Sequence, residues 1–117
     1  MKLDNLFENI PAAGPEELFE DLLQGQAFRI ERIVSQGHST PEGSWYDQDQ
    51  PEWVLLVKGE ASLHIEGQES RIHLQPGDYL NLPAHCRHRV VSTARDQITV
   101  WLAIHYRASA EDSVEGF

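Results

Sequence analysis

The chain has 117 residues and a mass of 13.3 kDa, enough for one domain and one core. Hydrophobic residues make up 40% and charged residues 24%, an ordinary globular mixture that excludes disorder as a reading of the whole. The net charge of −10 repels phosphate backbones and anionic lipid, which excludes non-specific nucleic-acid or membrane-surface binding. No apolar run reaches the ~20 residues of a membrane span, and Met1–Ile10 does not read as a signal peptide. The single cysteine, Cys86, excludes an internal disulfide and a multi-cysteine zinc site, and a reduced cytoplasmic setting is expected.

Residues 1–27 read as an N-terminal helical extension. Pro11, Gly14 and Pro15 punctuate it, and Glu16–Leu23 then predicts a short helix. Pro15 suits its first turn, Glu16 and Glu17 suit the positive end of the helix dipole, and Leu18, Leu22 and Leu23 share a face. From Phe28 the vocabulary turns to strands. Phe28–Val34 is β-capable, and Trp53–Val57 reads as a buried strand. Ala61–Ile65 alternates, with Ala61, Leu63 and Ile65 on one face and Ser62 and His64 on the other. Arg71–Leu74 alternates again, Pro76-Gly77-Asp78 is a turn, and Tyr79–Leu82, His88–Ser92 and Ile98–Tyr106 follow as strands. Many short strands with regular turns predict an all-β sandwich or barrel over residues 28–106. Residues 107–117 are polar and are expected to be a flexible tail.

Two segments stand out together. In the second, Gly77 and Pro83 are separated by five residues and His88 follows; in the first, Glu52 and Gly59 are separated by six. These resemble the two signature motifs of the cupin superfamily. The second motif departs at His85, where the family has a glycine, and at Ser92, where it has an asparagine. The first departs at its two histidines, which become Tyr46 and Gln48 in one register and Trp45 and Asp47 in the other. Its opening glycine is accordingly Thr40 or Ser39.

The resemblance implies a double-stranded antiparallel β-barrel of jelly-roll type and a divalent metal ion (Mn, Fe, Ni or Zn) inside it. Glu52 and His88 are the implied ligands. Asp47 is the better ligand chemically and Gln48 stands in the commoner register, so both remain candidates. Tyr46, His85, His105, Trp101 and His38 are candidates for the surrounding pocket. His105 faces inward if it alternates with Trp101 and Ala103. Structural roles compete at each: aromatic strand residues are commonly core, and histidines at turns are commonly loop residues. Cys86 lies between His85 and Arg87, positive neighbours that would lower a thiol pKa. Two functions are expected to compete. One is a metal site that binds, and transforms in the manner of a dioxygenase or isomerase, a small organic molecule; the other is a metal-free module or sensor that binds a small ligand without catalysis. A homodimer is expected because sheet edges seek cover and because the family often dimerises.

Overall fold

In the computed structural model, residues 1–12 and 14–107 are described, and they form two antiparallel sheets. The eight strands are β1 (Leu18–Gln24), β2 (Phe28–Ser35), β3 (Glu52–Lys58), β4 (Ala61–Ile65), β5 (Ile72–Leu74), β6 (Tyr79–Leu82), β7 (His88–Thr93) and β8 (Thr99–Tyr106). The larger sheet has the order β1-β2-β8-β3-β6 and the smaller β5-β4-β7. The alternation of β4 comes out as read: Ala61, Leu63 and Ile65 are buried, and Ser62 and His64 between them are not. Ala61 and Leu63 join one core cluster with Ile33, Val54, Leu56, Trp101 and Ala103 from the larger sheet and Leu74 and Val90 from the smaller one. The tail expected at 107–117 lies outside the described residues from position 108 onward.

Two expectations are corrected. The sheets do not close into a barrel: β1 and β6 are edges of one sheet, β5 and β7 of the other, and the Tyr46–His88 bridge joins a loop, not a strand, to the smaller sheet. There is also no N-terminal helix among the described residues. Leu18–Gln24 is strand β1, pairing with β2 from Leu18–Val34 to Gln24–Arg29, with a register shift between Asp21 and Leu23. The helical spacing of Leu18, Leu22 and Leu23 loses to the open backbone edge of β2, whose N–H and C=O groups need partners along its whole length. The bulge absorbs Leu22 and restores Leu23 to the face of Leu18. No helix among the described residues is long and apolar enough to cross a membrane.

The two glycines of the sequence motifs have different reasons. Gly59, at φ 90°, turns β3 into β4 so close to β8 that an added Cβ would sit 2.7 Å from the Thr99 Cα. Gly77, at φ 97°, faces open space and is needed for its backbone angle alone. Its N–H donates to the Leu56 carbonyl (2.8 Å), and Leu56 N–H donates to the Asp78 carbonyl (2.9 Å), which ties the turn before β6 to the middle of β3.

Candidate functional site

Strand β8 runs between β2 and β3, and its register fixes what meets inside. His105 lies opposite Glu52 on β3 and Arg29 on β2; Ala103, one row on, lies opposite Val54 and Glu31. Side chains two residues apart share a face, so Glu31, Glu52 and His105 project to the same side as the core residues Ile33, Val54 and Trp101. Diagonal neighbours on adjacent strands are within reach of long side chains. His105 Nε2 accordingly stands 2.7 Å from Glu31 Oε1 and 3.6 Å from Glu52 Oε2. All three residues are buried, and one ligand atom from each lies within 4.8 Å of the others.

His88 enters from the smaller sheet. The bridge between Tyr46 and His88 is made by both N–H groups, donating to the opposite carbonyls at 2.7 and 3.1 Å. It sets the Tyr46 ring against the imidazole with centroids 5.5 Å apart. The Cys86 carbonyl can only accept, so His88 Nδ1 carries the proton and donates to it at 2.8 Å. Nε2 is left as a lone pair, 3.9 Å from Glu52 Oε1. Burial pulls His88 below the ordinary imidazole pKa, against the opposing effect of that carbonyl, so the ring is neutral at physiological pH.

Between these groups lies a cavity of about 60 Å³. Glu17, Glu31, Glu52, His88, Tyr46 and Gln48 line its polar side, and Phe19, Leu63, Leu82 and Trp101 are among its apolar lining. No lysine or arginine lines it. Glu52 is lifted from 4.5 to about 7, first by burial and then by the Glu31 carboxylate, with His105 and Arg29 acting the other way. Tyr46 is raised as well, by burial and by the facing carboxylates of Glu17, Glu52 and Glu31. Glu17 is anchored by accepting a 2.5 Å hydrogen bond from the Ser35 hydroxyl.

Of the residues singled out in the sequence, Glu52, His88, Gln48, Tyr46 and Trp101 line this cavity, and His105 touches Glu52 behind it. Asp47 does not join them. It is exposed, paired at 2.9 Å with His85 on the rim, and both belong to the outer surface. The bend that turns Tyr46 and Gln48 inward turns Asp47 outward, as alternation requires. His38 is also apart: its ring meets the Gly14 carbonyl (2.8 Å) and the Gln36 N–H (2.8 Å) in a surface loop. The Cys86 thiol is raised by burial, the opposite of activation.

Glu17 and Glu31 were not anticipated. In Phe28–Val34 the residues Arg29, Glu31 and Ile33 alternate with Ile30, Arg32 and Val34, so each face carries both charge and hydrocarbon and periodicity selects neither. Both central charges prove to be buried, Glu31 against His105 and Arg32 against Glu20 at 2.6 Å. Glu17 sat inside the expected helix, where its first-turn position gave it a different purpose.

A model of the family described as a cupin domain matches residues 24–105. The chain belongs to the cupin family. Among solved structures, this cupin is similar to a Ralstonia eutropha JMP134 protein described as "a putative mannose-6-phosphate isomerase": 46% identity, 92% of this chain and 100% of that one covered, TM-score 0.87. A cupin superfamily protein from Desulfitobacterium hafniense DCB-2 shares 24% identity over 85% of this chain and 84% of that one, TM-score 0.67. An RmlC-like cupin from Methanocaldococcus jannaschii, with a double-stranded β-helix fold, shares 17% identity over 84% and 86%, TM-score 0.65; these last two likenesses speak to the fold alone. No curated protein matches the sequence.

Proposed function

We propose that this cupin holds a divalent cation on Glu31, Glu52 and His105 and binds a small, uncharged, oxygen-bearing organic molecule in the adjoining cavity. The observation that carries the reading is the buried convergence of two carboxylates and one imidazole within 4.8 Å. Such a mixed oxygen and nitrogen set suits Mn, Fe, Ni or Zn. His88 and Gln48 are the further donors facing the same cavity. The support for His88 is its fixed tautomer, because an imidazole ligand characteristically donates its other N–H to a carbonyl or carboxylate. A bound cation would supply Lewis acidity toward a hydroxyl or carbonyl oxygen.

The Ralstonia relative's description points to sugar isomerisation. The cavity argues for a neutral substrate in place of a phosphorylated one: three carboxylates line it and no cationic side chain does. A non-catalytic reading, in which the pocket binds a small ligand without metal, draws on one specific observation. His105 already donates to Glu31, and a proton on Glu52 satisfies the cluster with no cation at all. Elemental analysis of protein purified without a metal-affinity tag decides between them. Stoichiometric metal that is lost in His105→Ala and Glu52→Gln supports the first reading. Metal-free protein whose melting temperature does not rise with added Mn²⁺, Fe²⁺, Ni²⁺ or Zn²⁺ supports the second.

A further inference from the structure

At position 85 the cupin pattern has glycine and this chain has histidine. The backbone accounts for the glycine. His85 holds φ 61°, in the left-handed region that glycine enters freely and residues with a side chain seldom occupy. Such strain persists where the surroundings hold it. Here they do so twice. A carboxylate can only accept, so His85 Nδ1 carries the proton and donates to Asp47 Oδ1 at 2.9 Å. The His85 N–H donates to the carbonyl of the next residue, Gln48, at 2.8 Å.

These bonds complete a lacing between two loops. Residues 46–48 and 85–88 are joined at one end by the mutual N–H to carbonyl bonds of Tyr46 and His88, and at the other by His85. The three side chains that the lacing turns inward, Tyr46, Gln48 and His88, line the cavity of about 60 Å³. Gln48 also lines an open cleft of about 420 Å³, with Arg29, Asp47 and His105 in its wall. It is the one residue common to both linings. Organic ligands occupy sites of roughly 300–1,000 Å³, so the inner cavity alone is too small for one, and the way outward into the cleft passes Gln48. The side chains of His85 and Asp47 are 64% and 47% exposed, and an exposed pair adds little to global stability. Its consequence is local: it sets where the segment carrying Gln48 stands.

We propose that His85, latched to Asp47, is a positioning residue that holds Gln48 in the wall between cavity and cleft, with its amide presented to the bound cation and to the ligand that spans the two spaces. This role rests on Gln48 being a donor at the cation site. Neither His85 nor Asp47 lines the inner cavity, so both act through Gln48. A glycine at 85 would keep the backbone bond to Gln48 at lower strain but could not grip Asp47, and the 47–48 segment would be free to swing toward the cleft. The histidine therefore exchanges an easier backbone for a fixed amide.

Calorimetric titration of the chelator-treated full chain with Mn²⁺ tests this role. Asp47→Ala is expected to weaken Mn²⁺ binding by about fivefold, the largest population shift that an exposed pair supplies. His85→Gly is expected to weaken it at least as much, although its backbone strain is relieved. Asp47→Asn still accepts from Nδ1 and is expected to bind as the wild type does. In a Gln48→Ala background, His85→Gly is expected to change the affinity no further, because the side chain it positions is gone. Wild-type affinity in Asp47→Ala overturns the proposal, and so does a loss on His85→Gly that persists without Gln48. A wild type that binds neither Mn²⁺ nor Fe²⁺, Ni²⁺ or Zn²⁺ removes the cation reading instead, and amide hydrogen exchange of the metal-free protein then decides. Faster exchange of the residue 85 amide in Asp47→Ala, with the Tyr46 and His88 amides unchanged, upholds the latch; any other pattern overturns it.

Discussion

The interior of this sandwich has two ends built on the same strands. At one end Leu56 and Trp101 face each other across β3 and β8; four residues further along each strand, Glu52 and His105 do. Leu56 is completely buried, and Glu52 and His105 are nearly so, at 5% and 3% exposure. Burial therefore does not distinguish core from site. What distinguishes them is energetic sign. Burying an aliphatic side chain stabilises by roughly 1.5–3 kcal/mol. Burying a carboxylate costs free energy unless partners offset it. The apolar end thus holds the fold, and the polar end persists at the fold's expense, which is the condition expected of residues kept for binding.

The largest effect expected from this contrast is at the apolar end. Leu56→Ala removes a side chain with no solvent exposure from the middle of the core and should lower unfolding free energy by about 2–5 kcal/mol in a urea titration. Where the variant folds, metal or ligand affinity at the polar end should be little changed. A loss of affinity as large as the loss of stability would mean that the two ends are not separable.

The polar end should respond to pH instead. With its carboxyl lifted from 4.5 to about 7, Glu52 holds its proton more tightly in the folded chain than in the unfolded one. The stability it contributes is fully present below about 4.5 and is lost as pH rises through 7, by roughly 3 kcal/mol in all. In chelator-treated protein, the difference in urea midpoint between wild type and Glu52→Gln isolates this slope from that of every other group. A bound divalent cation favours the ionised carboxylate and should reverse the sign. A wild type and a Gln variant with parallel pH profiles would remove the coupled cluster from consideration.

Local signals made part of each end legible in the sequence. Alternation in Ala61–Ile65, the Gly59 and Gly77 turns, and the spacing that links Glu52 to Gly59 and Gly77 to Pro83 are local signals, and they led to the fold and to Glu52 and His88. The rest depends on which strand lies beside which. Glu31 becomes a cavity residue only because β8 lies between β2 and β3 in one particular register. Asp47 leaves the cavity because its neighbours Tyr46 and Gln48 take the inward positions. Leu18–Gln24 has a helical apolar spacing, and only the unpaired edge of β2 makes it a strand. Pairing partners distant in sequence are not encoded in any window short enough to read by periodicity.

A third effect separates the buried charge on the outer side of β2 from those on the inner side. Arg32, whose side chain is 6% exposed, is bound to Glu20 and to three carbonyls of the N-terminal segment. Arg32→Ala should cost about 1–3 kcal/mol and make residues 1–12 markedly more susceptible to limited proteolysis. Arg32→Lys should recover little, because one ammonium cannot span the guanidinium's fork of acceptors. Unlike Glu52→Gln, neither change should alter the pH slope between 4.5 and 7.

The smallest effect tests how sharply the apolar end is decoupled from the site. Gly77 lies in the turn that hydrogen-bonds to Leu56, and an added Cβ there meets no atom within 4 Å. Gly77→Ala therefore carries no steric clash, only the cost of holding a side chain at φ 97°. That cost is about 1 kcal/mol, a modest fall in urea midpoint with an unchanged denaturant slope. The turn is tied to β3 at Leu56, four residues from Glu52, so any strain it transmits must pass along that strand to reach the carboxylate. Pro76, Gly77 and Asp78 are all exposed, so the turn has room to relax before strain reaches β3. Cation affinity in Gly77→Ala should match the wild type; a fall of tenfold or more would show that β3 moves as one body and that the two ends share a single register.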